Sequence, residues 1–451
     1  MLKKEELEFL SEQLHNYKYH YNEILKANDV LNDIINDIKK TFTENGNVVA
    51  YHDSRIKTPN SYLNKILKNY KTDTEITYDD MHDIVAHRLV CLNLSDINEF
   101  VKLLRESDKI SILEERDYIY HPKKSGYRSY HLILEIPFVD EDGVEQKVKT
   151  EIQLRTILMD IFAREEHKLG YKNNGTISEE DKKTLKELSE ELYFFDLSLD
   201  KMARPIRNKS DDNQEELELV EKEYKDTANL YQIIYNDLNN MIRKSYEDYE
   251  KKADILHINS RIKTVPSIKR KLVKKKLSYK SESILYGLKD VIGFKIVCTD
   301  YDNVKDYISY ITKTINESDR VVIKETSDHL DEAKESGYRG YKINLDYCPK
   351  YVVDKPITIE ILIRTMVQDA WALQQDARVY NKEDSYERKE DYIETARGLK
   401  GLSFPLHRVE MSLNDLKEKN HENNTPVRNL VKEVKEYEIS KKLVLAKKDE
   451  E

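Results

Sequence analysis

The chain has 451 residues, and 75 Lys and Arg against 85 Asp and Glu give a formal net charge of −10. That length accommodates two to three domains of roughly 100–200 residues, and 35% charged beside 39% apolar residues fits a folded, helix-rich protein rather than a disordered one. No uncharged apolar run approaches the ~20 residues a bilayer crossing needs. The opening MLKKEELEFL lacks an apolar signal core. Cys91, Cys298 and Cys348 show no metal-ligand spacing and cannot all pair, so a reduced, cytoplasmic setting is expected, with no membrane partner. The acidic balance argues against broad nucleic-acid binding.

In chain order, residues 3–40 read as a polar helical region, and the RIKT block at Arg55–Thr58 leads a short basic helix. DIVAHRLVCL, from Asp83, is apolar and β-branched and reads as a buried strand. SDINEFVKLLRE reads as a helix with Ser95 as its N-cap. YRSYHLILEIPF alternates as a strand, a turn follows at Asp142-Gly143, and VKTEIQLRT alternates again. LMDIFAREEHKLGYK closes the set as a helix. Residues 172–215 are densely charged and read as helix and linker.

The pattern then begins again. RIKT recurs at Arg261–Thr264, an offset of 206, and Asp290 opens DVIGFKIVCT, an offset of 207 from Asp83. SGYRGYKINL from Ser336 repeats SGYRSYHLIL from Ser125 at an offset of 211, and EILIRT from Glu360 repeats EIQLRT from Glu151 at 209. Four blocks in one order at nearly constant spacing mark a duplicated domain with too long a period for a solenoid. The expected division is 1–205, 206–405, and a charged helical tail at 406–451 read as a solvated extension. The cysteines at equivalent positions, Cys91 and Cys298, read as inert buried strand residues.

Alternate side chains of a strand share a face. Glu151, Gln153 and Arg155 therefore point one way and Ile152 and Leu154 into a core, while Tyr127, Ser129 and His131 oppose Tyr130, Leu132 and Leu134. Asp83 and Glu151 suit Mg²⁺, a hard cation that takes a few carboxylate oxygens together with substrate phosphates. Taken singly, each carboxylate could equally cap a helix or pair with an arginine, but both recur, as Asp290 and Glu360. Arg55, Lys57 and Lys65 form a cationic cluster suited to a polyphosphate, with Ser61 able to donate a hydrogen bond. Residues 261–280 carry nine Lys and Arg and no acid. A histidine–aspartate phosphohydrolase built on His52 and His82-Asp83 is disfavoured, because such ligands sit on helices and the second copy has Lys289-Asp290 instead.

Together these blocks resemble the synthetase domain of the RelA/SpoT family, the small alarmone synthetases in particular. RIKTPNSYLNK from Arg55, DIVAHR from Asp83, DYIYHPKKSGYRSYH from Asp117, EIQLRT from Glu151 and FAREEHKLGYK from Phe162 carry the resemblance over about 45–172, and residues 250–382 carry it more loosely. It implies an α+β fold, a mixed-sheet nucleotidyltransferase-like synthetase domain flanked by helices and duplicated in tandem. The implied activity is that of a GTP/GDP pyrophosphokinase, moving the β,γ-pyrophosphate of ATP to the 3′-hydroxyl of GDP or GTP. Carried over residue by residue, Arg55, Lys57, Ser61, Lys65 and Arg88 would hold ATP. Asp83 and Glu151 would bind Mg²⁺, with Glu151 also taking the acceptor proton. Tyr127 would stack on guanine, and Lys123, His131, Gln153, Arg155, Asp160 and Glu166 would complete the acceptor side.

The second copy keeps Arg261, Lys263, Ser267, Arg270, Lys271, Asp290, Tyr338, Glu360 and Arg364. It has Gly340 for Ser129, Lys342 for His131, Leu362 for Gln153, Lys295 for Arg88, and Gln375-Asp376 for Glu166-His167. In the first copy, Asn64 stands where the family usually has Arg. The expectation is a catalytic first copy and a degenerate second one. Two alternatives stay open: a toxic synthetase acting on adenine nucleotides or tRNA 3′ ends, for which the basic run could guide RNA phosphates, and a nucleotide-binding regulator with little turnover. An internal pseudo-dimer or a homo-oligomer is left open too. No hydrolase domain is recognisable.

Overall fold

A computed structural model describes residues 2–71, 76–140, 143–172, 178–202, 214–251, 254–348, 355–379, 386, 388–420 and 429–449. The chain forms two compact units, Met1–Asp200 with Leu416–Glu451, and Lys201–Asp415. The expected boundary at 205/206 lies outside the described residues, as does Asp142 of the expected turn.

The first unit runs α1 (Lys4–Tyr19), α2 (Tyr21–Glu44), β1 (Val49–Ile56), α3 (Pro59–Tyr70), β2 (Val85–Cys91), α4 (Leu94–Arg105), β3 (Ser111–Asp117), β4 (Tyr130–Val139), β5 (Glu145–Thr156), α5 (Ile157–Lys172) and α6 (Glu179–Met202). Its sheet has the order β1-β2-β5-β4-β3. Only β2 and β5 run parallel, with Ala86 opposite Glu151. The neighbouring pairs β1–β2, β4–β5 and β3–β4 are antiparallel. A central parallel pair needs cover on both faces, and β2 is buried at every position but Arg88. On one face helices supply that cover through apolar stripes at helical spacing: Ile24, Leu31, Ile35 and Phe42 on α2, and Ile97, Phe100, Val101 and Leu104 on α4, are buried in one core with Leu89, Leu132, Ile152 and Leu154.

The N-cap of α4 is Asn93, not Ser95: Asn93 and Asp96 form a capping box, and the Ser95 amide donates to Asp200 at 2.8 Å. The turn glycine Gly143 has φ +81° and closes on the Asp140 carbonyl at 3.2 Å.

The second unit repeats the plan: α7 (Gln214–Asp248), β6 (Ile255–Ile262), α8 (Val265–Lys274), β7 (Ile292–Cys298), α9 (Tyr301–Asn316), β8 (Val321–Asp328), β9 (Tyr341–Tyr347), β10 (Ile357–Thr365), α10 (Met366–Arg378) and α11 (Lys389–Lys419). Its sheet, β6-β7-β10-β9-β8, has the same order and the same single parallel pair, β7–β10.

Charge density predicted a solvated extension after residue 405, but α12 (Leu430–Asp449) does not follow that expectation. Its Leu430 and Val434 are fully buried in the first unit's core, the Leu430 amide donates to Asn60 at 2.8 Å, and Tyr437 donates to Glu8 at 2.8 Å.

In both copies a glycine before the conserved Tyr-Arg pair adopts φ +93°, Gly126 and Gly337, a conformation that favours glycine. A Cβ on Gly126 would stand 2.9 Å from Ser189 Cβ on α6, and one on Gly337 3.1 Å from Ser403 Cβ on α11. Each serine hydroxyl donates to the carbonyl of its glycine. The helix after each domain thus clasps the loop that carries Tyr127 or Tyr338.

Beside the first clasp, Asp196 is fully buried and accepts from the Thr156 hydroxyl at 2.7 Å. Burial, only partly offset by that bond, pushes its carboxyl up to about 8. The stability from its bound proton is fully present below the unfolded value near ~4 and is lost as pH rises through the folded value. Asp196→Asn should therefore gain stability relative to the parent across roughly pH 4–8, by at most ~1.4 kcal/mol per pH unit, and then level off. Urea unfolding at several pH values checks this; a difference that does not vary over that window would show Asp196 to be ionised in the fold.

Candidate active site

The parallel pairing of β2 and β5 sets the geometry. Asp83 lies two residues before β2 and Glu151 sits on β5 beside Ala86, so two carboxylates far apart in sequence meet at one end of the sheet. The Lys57 amide donates to the Ile84 carbonyl at 2.8 Å, which ties the RIKT segment to the residue after Asp83. Asp83 then receives Lys57 Nζ at 3.1 Å and Lys65 Nζ at 2.9 Å. Burial would raise the Asp83 carboxyl, but the two ammonium groups outweigh it and hold it below the ordinary value. Thr58 caps α3 with Pro59 in its first turn, and its hydroxyl bonds that of Ser61 at 2.9 Å. Arg55 and Ser61 are exposed at the rim, outside direct contact with Asp83.

The other wall is a hydrogen-bond chain. Arg155 Nη2 donates to the Tyr127 hydroxyl at 2.6 Å, Tyr127 lies 2.8 Å from His131 Nε2, and His131 Nδ1 lies 2.8 Å from Glu151 Oε1. Gln153 donates to the other Glu151 oxygen at 2.8 Å and accepts from Arg155 at 2.6 Å. With Glu151 ionised, the network assigns the proton of a neutral His131 to Nδ1, leaving Nε2 to accept from Tyr127. Burial lowers the His131 imidazolium from its ordinary value, against the pull of Glu151. Burial works to raise the Glu151 carboxyl, yet the bonds from His131 and Gln153 prevail and lower it. Lys123 Nζ stands 4.7 Å from the centroids of both Tyr118 and Tyr127, a cation–π arrangement.

Asp160, expected on the acceptor side, lies beneath that wall rather than on it. Its side chain is 0% exposed and its carboxylate takes Arg155 at 2.8 Å, Arg164 at 2.8 Å and Arg88 at 3.4 Å. Burial opposes ionisation, but the three guanidinium groups bring its carboxyl down to about 2. Asp53 closes the circuit, accepting from Arg88 at 2.6 Å and Arg164 at 3.1 Å. Glu166 is half-buried on α5 beside the buried Glu165.

The second unit keeps the pairing of lysines with the aspartate before the central strand. Lys263 Nζ is 2.7 Å from Asp290 Oδ2, and Lys271 bonds the same oxygen. Ser267 is bonded by Thr264 at 3.0 Å and Arg270 at 3.3 Å, and Arg261 is exposed at the end of β6. Arg364 donates to the Tyr338 hydroxyl at 3.3 and 3.2 Å and to Asp369 at 3.1 Å, while Lys295 takes the other Asp369 oxygen at 2.8 Å. At Glu360 the parallel breaks: its partner is Lys342 at 3.6 Å. The basic run is not a uniformly solvated face either, since Lys269 is buried and pairs with Glu216 at 3.4 Å.

A family model described as a region found in RelA / SpoT proteins matches residues 54–176 and 260–386, more than half of the chain. The chain belongs to the RelA/SpoT family. Within it, 151 residues are 38% identical to the GTP pyrophosphokinase YwaC of Bacillus subtilis (strain 168), covering 33% of this chain and 71% of that protein. A further 36% identity over 142 residues relates it to the GTP pyrophosphokinase YjbM of the same organism, covering 32% and 66%. The crystal structure of the small alarmone synthetase 1 from Bacillus subtilis bound to its product pppGpp aligns at 26% identity over 42% of this chain and 96% of that one, with a TM-score of 0.37.

Three residues of this RelA/SpoT site escaped the sequence reading. Tyr118 packs edge-on against His131 with centroids 5.2 Å apart; its place in DYIYHPK was a signal, since the second copy has His329 there. Arg164 follows Asp160 by one helical turn, a spacing that pairs charges on a helix. Asp53, on β1, had no such cue.

The donor chemistry fits Mg²⁺ in outline. Asp83 and Glu151 are both held in the carboxylate form, and Asp83 raises the proton affinity of Glu151 only as a minor contribution beside burial and the bonds from His131 and Gln153. Among the described residues no group of three or more His, Cys, Asp or Glu could hold a metal ion. Two carboxylates would thus need substrate phosphates to complete the shell, as is usual for this ion.

Removing one partner from a buried charge cluster leaves the rest uncompensated. Asp160→Asn should cost about 3–5 kcal/mol of unfolding free energy, measured by urea denaturation; a loss below ~1 kcal/mol would show the three arginines to be satisfied by solvent.

Proposed function

We propose that the first unit transfers the β,γ-pyrophosphate of ATP to the 3′-hydroxyl of GDP or GTP, yielding ppGpp or pppGpp and AMP. The observation that carries this reading is the ionised Asp83–Glu151 pair between a lysine cluster and the Glu151–His131–Tyr127–Arg155 chain. Membership of the RelA/SpoT family and the GTP pyrophosphokinases among its relatives support it.

In this reading Arg55, Lys57, Lys65 and Arg88 bind the donor phosphates, with Ser61 donating a hydrogen bond. Asp83 and Glu151 would hold Mg²⁺, which would supply charge neutralisation of the transferring group. Glu151 accepts the proton of the 3′-hydroxyl as the acceptor oxygen forms its bond to the β-phosphorus and the bond from that phosphorus to the α–β bridging oxygen breaks. His131 and Gln153 aim the carboxylate, and Arg155 orders both through Tyr127 and Gln153. Asp160 acts as a positioning residue, because its carboxylate is wholly occupied by arginines. Tyr127 and Tyr118, with Lys123 between their faces, offer the ring surface on which guanine would stack. Such transfer needs mainly alignment and charge compensation, which is what this wall provides.

Glu151→Gln keeps the shape and removes the base, so it should lower transfer by 10²–10⁴-fold, the typical contribution of a general base. Glu360→Gln should stay within about twofold of the parent, a factor worth less than ~0.5 kcal/mol. Purified chain with γ-labelled ATP and, in turn, GDP, GTP, AMP and deacylated tRNA checks both the acceptor and the active copy. Label reaching only AMP or tRNA would replace the guanine acceptor, and loss in Glu360→Gln with Glu151→Gln intact would move catalysis to the second unit.

A further inference from the structure

The second unit departs from the first in one consistent direction. Three positions around its carboxylates that hold Asn69, His82 and His131 in the first unit hold Lys275, Lys289 and Lys342 here. Asn69 carries no charge, and an imidazole with its ordinary value of ~6.5 is mostly neutral at pH 7, whereas a lysine is a cation there. Each exchange therefore adds a full positive charge.

Their placement is local. Lys342 Nζ reaches Glu360 Oε2 at 3.6 Å, with the two side chains 30% and 23% exposed. Lys271, Lys289 and Lys342 all act on Lys275 and, after burial, lower its proton affinity. Lys334, the counterpart of Lys123, is lowered by burial and then by Lys342. Asp290 spends one oxygen on Lys263 and Lys271, and its buried Oδ1 has no hydrogen-bond partner. A lysine ammonium thus pairs with the carboxylate whose first-unit counterpart, Glu151, is held instead by the neutral donors His131 and Gln153. The groups that aim that carboxylate are gone as well, since Leu362 replaces Gln153.

We propose that the second unit is a nucleoside polyphosphate site that works without a divalent metal and without transfer, with Lys342 and Lys275 supplying the charge a metal ion would bring. Like-charged ammonium groups that act on one another, as these do on Lys275, are unfavourable alone, and a polyphosphate chain relieves their repulsion. Glu360 pairs with Lys342 and has no hydrogen-bonded imidazole to aim it as a base, so bound nucleotide is retained unchanged. The proposal rests on the first unit being the catalytic one.

The test uses the full chain carrying Glu151→Gln, which stops transfer, titrated calorimetrically with ATP, GTP and inorganic tripolyphosphate in EDTA and again with Mg²⁺. One site per chain is expected in EDTA. Lys342→His, which restores the first-unit residue, should weaken that site at least tenfold in EDTA and make it respond to Mg²⁺. Lys275→Asn, at an exposed position, should weaken it severalfold even if Lys342→His disturbs folding. ATP or GTP binding more tightly than tripolyphosphate would identify the base as part of the ligand, while equal affinities would still support a polyphosphate site. No site in EDTA, or a site that both variants leave intact, overturns the proposal. Pyrophosphate transfer by the wild-type chain is followed in parallel, so a chain that binds in EDTA but makes no product would refute the catalytic reading of the first unit rather than the metal-independent site.

Discussion

Two strands that run side by side in the same direction, β2 and β5, impose the condition under which everything else in the first unit is arranged. An antiparallel neighbour would have put Asp83 and Glu151 at opposite ends of the sheet. Parallel pairing brings them to one end, and it requires a long crossover between the strands. That crossover carries α4, β3 and the loop bearing Lys123 and Tyr127, so the same topological demand that joins the carboxylates also places that loop beside them. The second unit obeys it with β7 and β10, and differs only in what side chains it hangs there.

Charge is handled in two tiers beneath this frame. The upper tier, Lys57 and Lys65 on Asp83, is partly open to solvent and is suited to exchange partners when a phosphate arrives. In the lower tier Asp160 and Arg155 are buried, while Arg88 and Arg164 reach partly to solvent. Buried ion clusters add little net stability compared with apolar packing, so the lower tier is better understood as a way of holding Arg155 in one orientation. Arg155 in turn fixes Tyr127 and Gln153, and through them the two groups that hold Glu151.

Much of this was legible in the sequence because the chain supplies its own comparison. Repetition of Asp-Ile/Val, SGYR and E-I-x-x-R-T located the inner strands and marked Asp83 and Glu151 as carboxylates that recur. Alternation then placed Ile152 and Leu154 inward and Glu151, Gln153 and Arg155 together, as observed. The edge strands were not legible: β1 (VAYHDSRI) and β3 (SILEERD) face solvent along much of their length and carry no apolar alternation. Nor did charge density reveal the fate of α12, where two buried residues, Leu430 and Val434, outweigh a highly charged remainder. Asp160 was assigned to the acceptor wall because sequence position cannot distinguish a residue in a site from one directly beneath it.

The contribution of α12 to the first core has a consequence for biosynthesis. Chains emerge from the ribosome in order, and domains ordinarily fold as they appear. The first sheet and α6, including the Ser189 clasp on Gly126, are complete within the first 200 residues. The face of α1 and α3 that receives Leu430 and Val434, however, stays uncovered until the whole second repeat has been translated. The nascent first unit thus carries an apolar seam through the synthesis of its own duplicate, and that seam closes only once α12 has emerged.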